Sequence, residues 1–132
     1  MSTTLSAIQL LVDDYQAALD YYCKTLDFVC IEDEVNPDGS RWVKILPSHY
    51  ATTALVLHRA VSPAQQASLG RQAGDAVFGI LYCEDCEQTY QQWQSRGVQF
   101  EQPPVSQAYG TVAIFSDYLG NRWDLIGPPT DH

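Results

Sequence analysis

Apolar positions recur along the chain with two periods, and the pattern itself occurs twice. Leu11-Val12-Asp13-Asp14 and Tyr82-Cys83-Glu84-Asp85 each place paired acids after an apolar run, with Asp14 and Asp85 separated by 71 residues. Behind Asp14, Leu19, Tyr22, Cys23 and Leu26 follow at helical spacing up to Asp27-Phe28. Behind Asp85, Tyr90 and Trp93 do the same up to Gly97, with Val98 and Phe100 beyond. Each half therefore predicts strand, helix, strand, and the shared offset marks an internal repeat. Asp13 with Gln16, and Asp85 with Gln88, have capping-box spacing, in which a carboxylate accepts from an orphan amide and favours the positive helix end. Gly97 is a natural C-terminal stop.

Two further short strands complete each half: Arg41 to Leu46 and Ala54 to His58, then Thr111 to Ser116 and Arg122 to Ile126. Asp117 to Asn121, ending in Gly120-Asn121, is a tight-turn sequence that joins the last two strands as a hairpin. The chain predicts an α+β fold of two βαβββ modules, about 4–58 and 76–127, with a linker of about 59–75 in which Ser62-Pro63 opens an Ala/Gln-rich stretch. A chain of 132 residues with 45% apolar and 17% charged positions has the composition of one globular domain with a full core.

The charge narrows the partners. Seven Lys and Arg against sixteen Asp and Glu give a net charge of −9, which repels nucleic acid and anionic membrane surfaces. Most of the acids fall at helix starts (Asp13, Asp14, Glu84, Asp85, Glu87) and in the stretch Glu32 to Asp38, read as a loop, so the total says little about the charge of a ligand. The N-terminus carries no basic and apolar leader pattern, and four cysteines fit free thiols in a reducing compartment, which together predict a cytoplasmic protein. Cys83-Glu84-Asp85-Cys86 has redox-dithiol spacing, but its acidic surroundings oppose thiolate formation. Cys23 falls on the predicted apolar face of the first helix and is assigned to the core. The histidines His49, His58 and His132 are scattered, and only His58 lies on a predicted strand.

Several motifs, in order, carry a resemblance. They are Leu10-Leu11-Val12-Asp13-Asp14, Ala18-Leu19-Asp20-Tyr21-Tyr22, Leu26-Asp27-Phe28, Arg96-Gly97-Val98-Gln99-Phe100, Tyr109-Gly110-Thr111 and Asp117-Tyr118-Leu119-Gly120-Asn121-Arg122-Trp123-Asp124-Leu125-Ile126. Together they resemble the vicinal oxygen chelate superfamily, the glyoxalase, bleomycin-resistance and extradiol dioxygenase group. The resemblance implies two βαβββ modules whose curved mixed sheets form a cup, and a homodimer. It also implies four metal-ligand positions, on the first and fourth strands of each module. Here they fall on Ala7, Val56, Phe78 and Asp124, of which only Asp124 carries a donor. A divalent site needs about three protein ligands, so no metal or other cofactor is expected. The alternative, a displaced site of Gln9, His58 and Asp124, places ligands two residues away along a strand, roughly 6–7 Å, too far for the same coordination sphere.

The expected role is thus to bind a small organic molecule in a largely apolar cup. Alternation puts Phe78, Ile80 and Tyr82 on one face with Arg122, Asp124 and Ile126, and likewise groups Ala7, Gln9 and Leu11 with Ala54, Val56 and His58. The candidate ligand-binding residues are Gln9, His58, Phe78, Tyr82, Tyr109, Arg122 and Asp124, with Arg122 and Asp124 either paired or each holding one end of the ligand. The alternative is an enzyme of lyase, isomerase or dioxygenase type, using Asp124 or His58 as general base or a displaced metal.

Overall fold

In the computed structural model, which describes residues 1–130, the repeat appears as two successive sets of one strand, one helix and three strands. The first comprises β1 (Ala7–Val12), α1 (Tyr15–Leu19) continued by a π-helical segment Asp20–Thr25, β2 (Val29–Val35), β3 (Arg41–Leu46) and β4 (Ala54–Arg59). After a short α2 (Pro63–Ala67), the second comprises β5 (Gly79–Tyr82), α3 (Cys86–Ser95), β6 (Gln99–Gln107), β7 (Gly110–Ser116) and β8 (Arg122–Gly127). The fold is α+β, with two mixed sheets of order β1-β4-β3-β2 and β5-β8-β7-β6. In each sheet the first and fourth strands run parallel and the other pairs antiparallel. Two compact units divide the chain, one ending at Leu69 and the next beginning at Gly70.

In the first unit, alternation sends Leu10 and Val12 of β1, Val43 and Ile45 of β3, and Leu57 of β4 to one face, where all are buried with Ala18 and Tyr22 of the helical segment. Asp14 caps α1 by accepting from the Ala17 amide at 2.9 Å. The helix then widens, and the Leu26 amide donates to the Tyr21 carbonyl five residues back. Asp27, at φ 63°, turns the chain out of the helix. Tyr22 is fully buried and meets Tyr21 and Phe28 edge-on.

The second unit builds its packed face from aromatic rings. Trp93 of α3 meets Phe115 of β7 edge-on at 5.4 Å, and Phe115 stacks on Trp123 of β8 at 6.4 Å and 9°. Trp123 fits because its strand partner is Gly79, where a Cβ would lie 2.6 Å from the indole. The β7–β8 turn is held by Asp117, whose Oδ1 accepts from the amides of Leu119, Gly120 and Asn121 while its Oδ2 accepts from the Asn121 side chain.

Four expectations change. The first cap is Asp14 and not Asp13, because the helix begins at Tyr15, and the Gln16 side chain donates to Asp20 instead. At the second cap Asp85 accepts from the Gln88 amide, while the reciprocal box forms at Ser62 and Gln65, inside the stretch read as a linker. Glu32 to Val35 belong to β2, and only Asn36 to Ser40 turn, closed by the Asn36 amide donating to the Ser40 carbonyl. Cys23 is half-exposed, because the π-helical widening gives the buried position to Tyr22. His132 lies outside the described residues.

Candidate functional site

Each sheet has a second face, opposite its packed one, and the two differ in chemistry. In the first, strand register aligns Glu32 of β2, Lys44 of β3, Val56 of β4 and Gln9 of β1 in one row. The adjoining positions are Glu34 opposite Trp42, and His58 opposite Leu11. Trp42 is 43% exposed, and its indole N–H donates to Glu32 Oε2, which holds the ring in place. Gln9 and His58 are diagonal neighbours on this face. His58 Nε2 lies 3.5 Å from the side-chain amide of Gln65, so its orienting partner is uncharged.

On the second sheet the corresponding row is Gln102 of β6, Ile114 of β7, Asp124 of β8 and Ile80 of β5. Beside it run Val105, Val112, Ile126 and Tyr82. Ile80 and Tyr82 are 66% and 72% exposed, although both sit in a regular strand. Asp124 thus emerges from hydrocarbon, flanked by Ile80 and Ile114, with Ile126 two residues along its own strand. Among the described residues its side chain makes no hydrogen bond or ion pair.

Arg122 does not pair with Asp124. Its Nε and Nη2 each donate at 2.9 Å to the Glu101 carboxylate, and its Nη1 donates to the Asp75 carbonyl. Glu101 holds the guanidinium above its ordinary value, with Asp124 a lesser contributor. Phe78 precedes β5, and its ring meets Trp123 edge-on at 5.2 Å, which commits it to the aromatic packing. Tyr109, 72% exposed, sits in the β6–β7 turn. The ~13 Å of strand from Gly110 to Ile114, at about 3.3 Å per residue, separates it from the row of Asp124. Of the seven candidates, the structure sets Gln9 with His58 on one face and Tyr82 with Asp124 on the other.

Trp42 and its Glu32 partner were not among the candidates, although the alternation Arg41-Trp42-Val43-Lys44-Ile45 already sends Trp42 and Lys44 to one side. Glu101 could not be read that way, because β6 carries two bulges, Phe100/Gln102 and Gln102/Val105, which break the period. Cys83 and Cys86 are poor nucleophiles: burial pushes both thiols up, Cys86 to about 12.

The model of the Glyoxalase/Bleomycin resistance protein/Dioxygenase superfamily matches residues 4–125. The chain belongs to that superfamily. A relative from Shewanella frigidimarina (strain NCIMB 400), described only as an uncharacterized protein, is 40% identical over 127 residues, covering 96% of this chain and 94% of its own. Among solved structures, UcmS2 is similar at 27% identity and a TM-score of 0.83, covering 96% of this chain and 98% of its own. TnmS3, described as an antibiotic binding protein from Streptomyces sp. CB03234, is similar at 27% identity and a TM-score of 0.78, covering 96% of this chain and 97% of its own.

The four positions that the resemblance assigns to metal ligands do not make up a donor set here. Ala7, Val56 and Phe78 have no donor atoms in their side chains, and the strand neighbours of Asp124 are the hydrocarbons Ile80 and Ile114. The residues present do not fit a divalent ion, which needs about three nitrogen, oxygen or sulfur ligands. Among the described residues no group of three or more His, Cys, Asp or Glu could hold a metal ion. No helix among them is long and apolar enough to cross a membrane.

Proposed function

We propose that the chain is a homodimeric, cytoplasmic binding protein that holds a small organic molecule without transforming it. The observation that carries this reading is the open face of the second sheet, where Ile80 and Tyr82 stand in water beside Ile114 and Ile126. Contiguous exposed apolar surface of this kind marks a ligand or partner site, and one charged group within it is the pattern of a small-molecule site. Asp124 supplies that group and Tyr82 a ring for stacking on the second sheet; Gln9 and His58 form a polar pair of their own on the first. Arg122, held by Glu101, borders the second face, and Phe78 supports it through Trp123. The 27% identity to TnmS3 supports the same class of activity.

Among the described residues, neither the His58 nor the Asp124 side chain has a charged, hydrogen-bonded partner that would orient it for proton transfer. Differential scanning fluorimetry against a panel of aromatic antibiotics tests the binding reading, with mass spectrometry of the recovered compound. A concentration-dependent rise in Tm with the compound recovered unchanged is expected. A mass change in the recovered compound, or no rise with any member, overturns it. Sedimentation velocity is expected to give twice the 14.8 kDa chain mass.

A further inference from the structure

We infer that the second sheet selects an organic cation, an apolar ring system bearing a protonated nitrogen, with Asp124 as the specificity-determining group. The inference rests on the small-molecule reading above and adds the charge of the ligand to it. Three observations carry it.

The first is that Asp124 is half-buried yet uncommitted. Every residue hydrogen-bonded to it in strand register presents only hydrocarbon on this face, Ile80 on one side and Ile114 on the other. A carboxylate in such surroundings has lost part of its hydration without gaining a protein donor, which is a cost to the folded chain that a bound cation would offset.

The second is that the neighbouring cation is already neutralised. Arg122, two residues along the same strand, gives two of its donors to the Glu101 carboxylate and a third to the Asp75 carbonyl. The hydrogen-bonding groups of Arg122 are thus taken by Glu101 and the Asp75 carbonyl, and Asp124 acts on it only as a weaker charge through space, so Asp124 is the carboxylate of this face left without a donor among the described residues. An anionic ligand would meet a carboxylate and find no free guanidinium.

The third is shape. Ile80, Tyr82, Ile114 and Ile126 surround Asp124 on the pleated surface, within the span of neighbouring strand positions. A flat hydrocarbon ring can cover them while its charged nitrogen reaches the carboxylate. The Tyr82 ring lies diagonally from Asp124 and offers both a stacking surface and a π-face that favours cations.

Three probes of one ring shape test this at pH 7.5: 9-aminoacridine, a cation; acridine, neutral; and acridine-9-carboxylate, an anion. Isothermal titration is expected to rank them cation, neutral, anion, with the cation about tenfold tighter than the neutral ring, or about 1.4 kcal/mol. Asp124→Asn is expected to remove the cation's advantage, so that 9-aminoacridine binds no more tightly than acridine. Because the Asp124 side chain makes no hydrogen bond among the described residues, that variant should keep its circular dichroism spectrum. Equal affinity for all three probes overturns the cation inference and leaves the small-molecule reading standing. A cation preference that survives Asp124→Asn also overturns it, because the selecting charge then lies elsewhere. No binding of any probe overturns both readings.

Discussion

The two sheets share one topology and one cap position, yet their exposed faces are opposite in kind. On the first, polar and charged side chains fill the row: Glu32 lies across from Lys44 in strand register and accepts from the Trp42 indole. On the second, the ion pair of Arg122 with Glu101 lies to one side, and the rows around Asp124 are almost entirely hydrocarbon. A polar face is stable in water as it stands, whereas an exposed hydrocarbon face around a single carboxylate gains by being covered. The repeat therefore duplicated a scaffold, and the side chains of its two open faces then diverged.

The packed faces diverge as well, and the largest effect should come from breaking that difference. At matching positions of the parallel strand pair, the first unit sets Ile8 beside Leu55 and the second sets Gly79 beside Trp123. The volume has moved from both residues onto one. Trp123→Ala should cost about 4 kcal/mol, since it removes the ring on which both Phe78 and Phe115 pack. Urea denaturation followed by far-UV circular dichroism measures it. Gly79→Ala should cost about 1–3 kcal/mol by overpacking against the indole, while Ile8→Ala, at a position 38% exposed, should cost less. Equal costs for the two would show that the halves are packed alike.

The β7–β8 turn gives the next effect. Asp117 is buried, at 5% exposure, and accepts three backbone amides and one side-chain amide. Asp117→Ala leaves those donors without an acceptor and should cost about 2–3 kcal/mol in the same denaturation experiment. The connection between β3 and β4 contains no acid at all, so no single substitution there should match it.

How far such differences can be read from sequence depends on whether the backbone keeps its period. β3 and β7 are regular, and their residues alternate as their letters suggest, so Val43 and Ile45, or Ala113 and Phe115, point to the packed side. Asp14 is legible as a cap once the 71-residue offset is applied to Asp85. The π-helical segment has no such signal, because one widened turn shifts Tyr22 and Cys23 without any change in residue type. The partner of Arg122 lies behind the bulges of β6. Alternation did foresee that Tyr82 and Asp124 share a face, but it could not show that the arginine next to them is already bound.

Acid sensitivity offers a smaller contrast. Arg41 donates to Asp33 through two bonds of 2.8 and 2.7 Å and holds its carboxyl below the ordinary value of 3.8. The folded value lies below the unfolded one, so the stabilisation is fully present above about pH 4 and is lost as pH falls through the folded value. The pair is partly exposed, which limits it to about 0.5–1 kcal/mol. In Arg41→Met, the loss of stability on acidification below pH ~4 should be shallower by that amount, read from Tm against pH.

The smallest effect is the most informative about the two faces. Asp124→Asn removes a charge that no residue of the described chain pairs with, and it keeps the side chain's size. In the free protein, stability should change by no more than about 0.5 kcal/mol, and a slight gain is the favoured direction because a half-buried anion becomes neutral. Glu32→Gln, on the other face, weakens a hydrogen bond to the Trp42 indole that is charge-assisted in the native chain, and should destabilise slightly. Opposite signs for two single-charge removals, measured side by side in urea, follow if one carboxylate is serving its own fold and the other is left open for something else. If Asp124→Asn instead proves as destabilising as Asp117→Ala, the carboxylate has a structural partner and its openness on the second face is wrong.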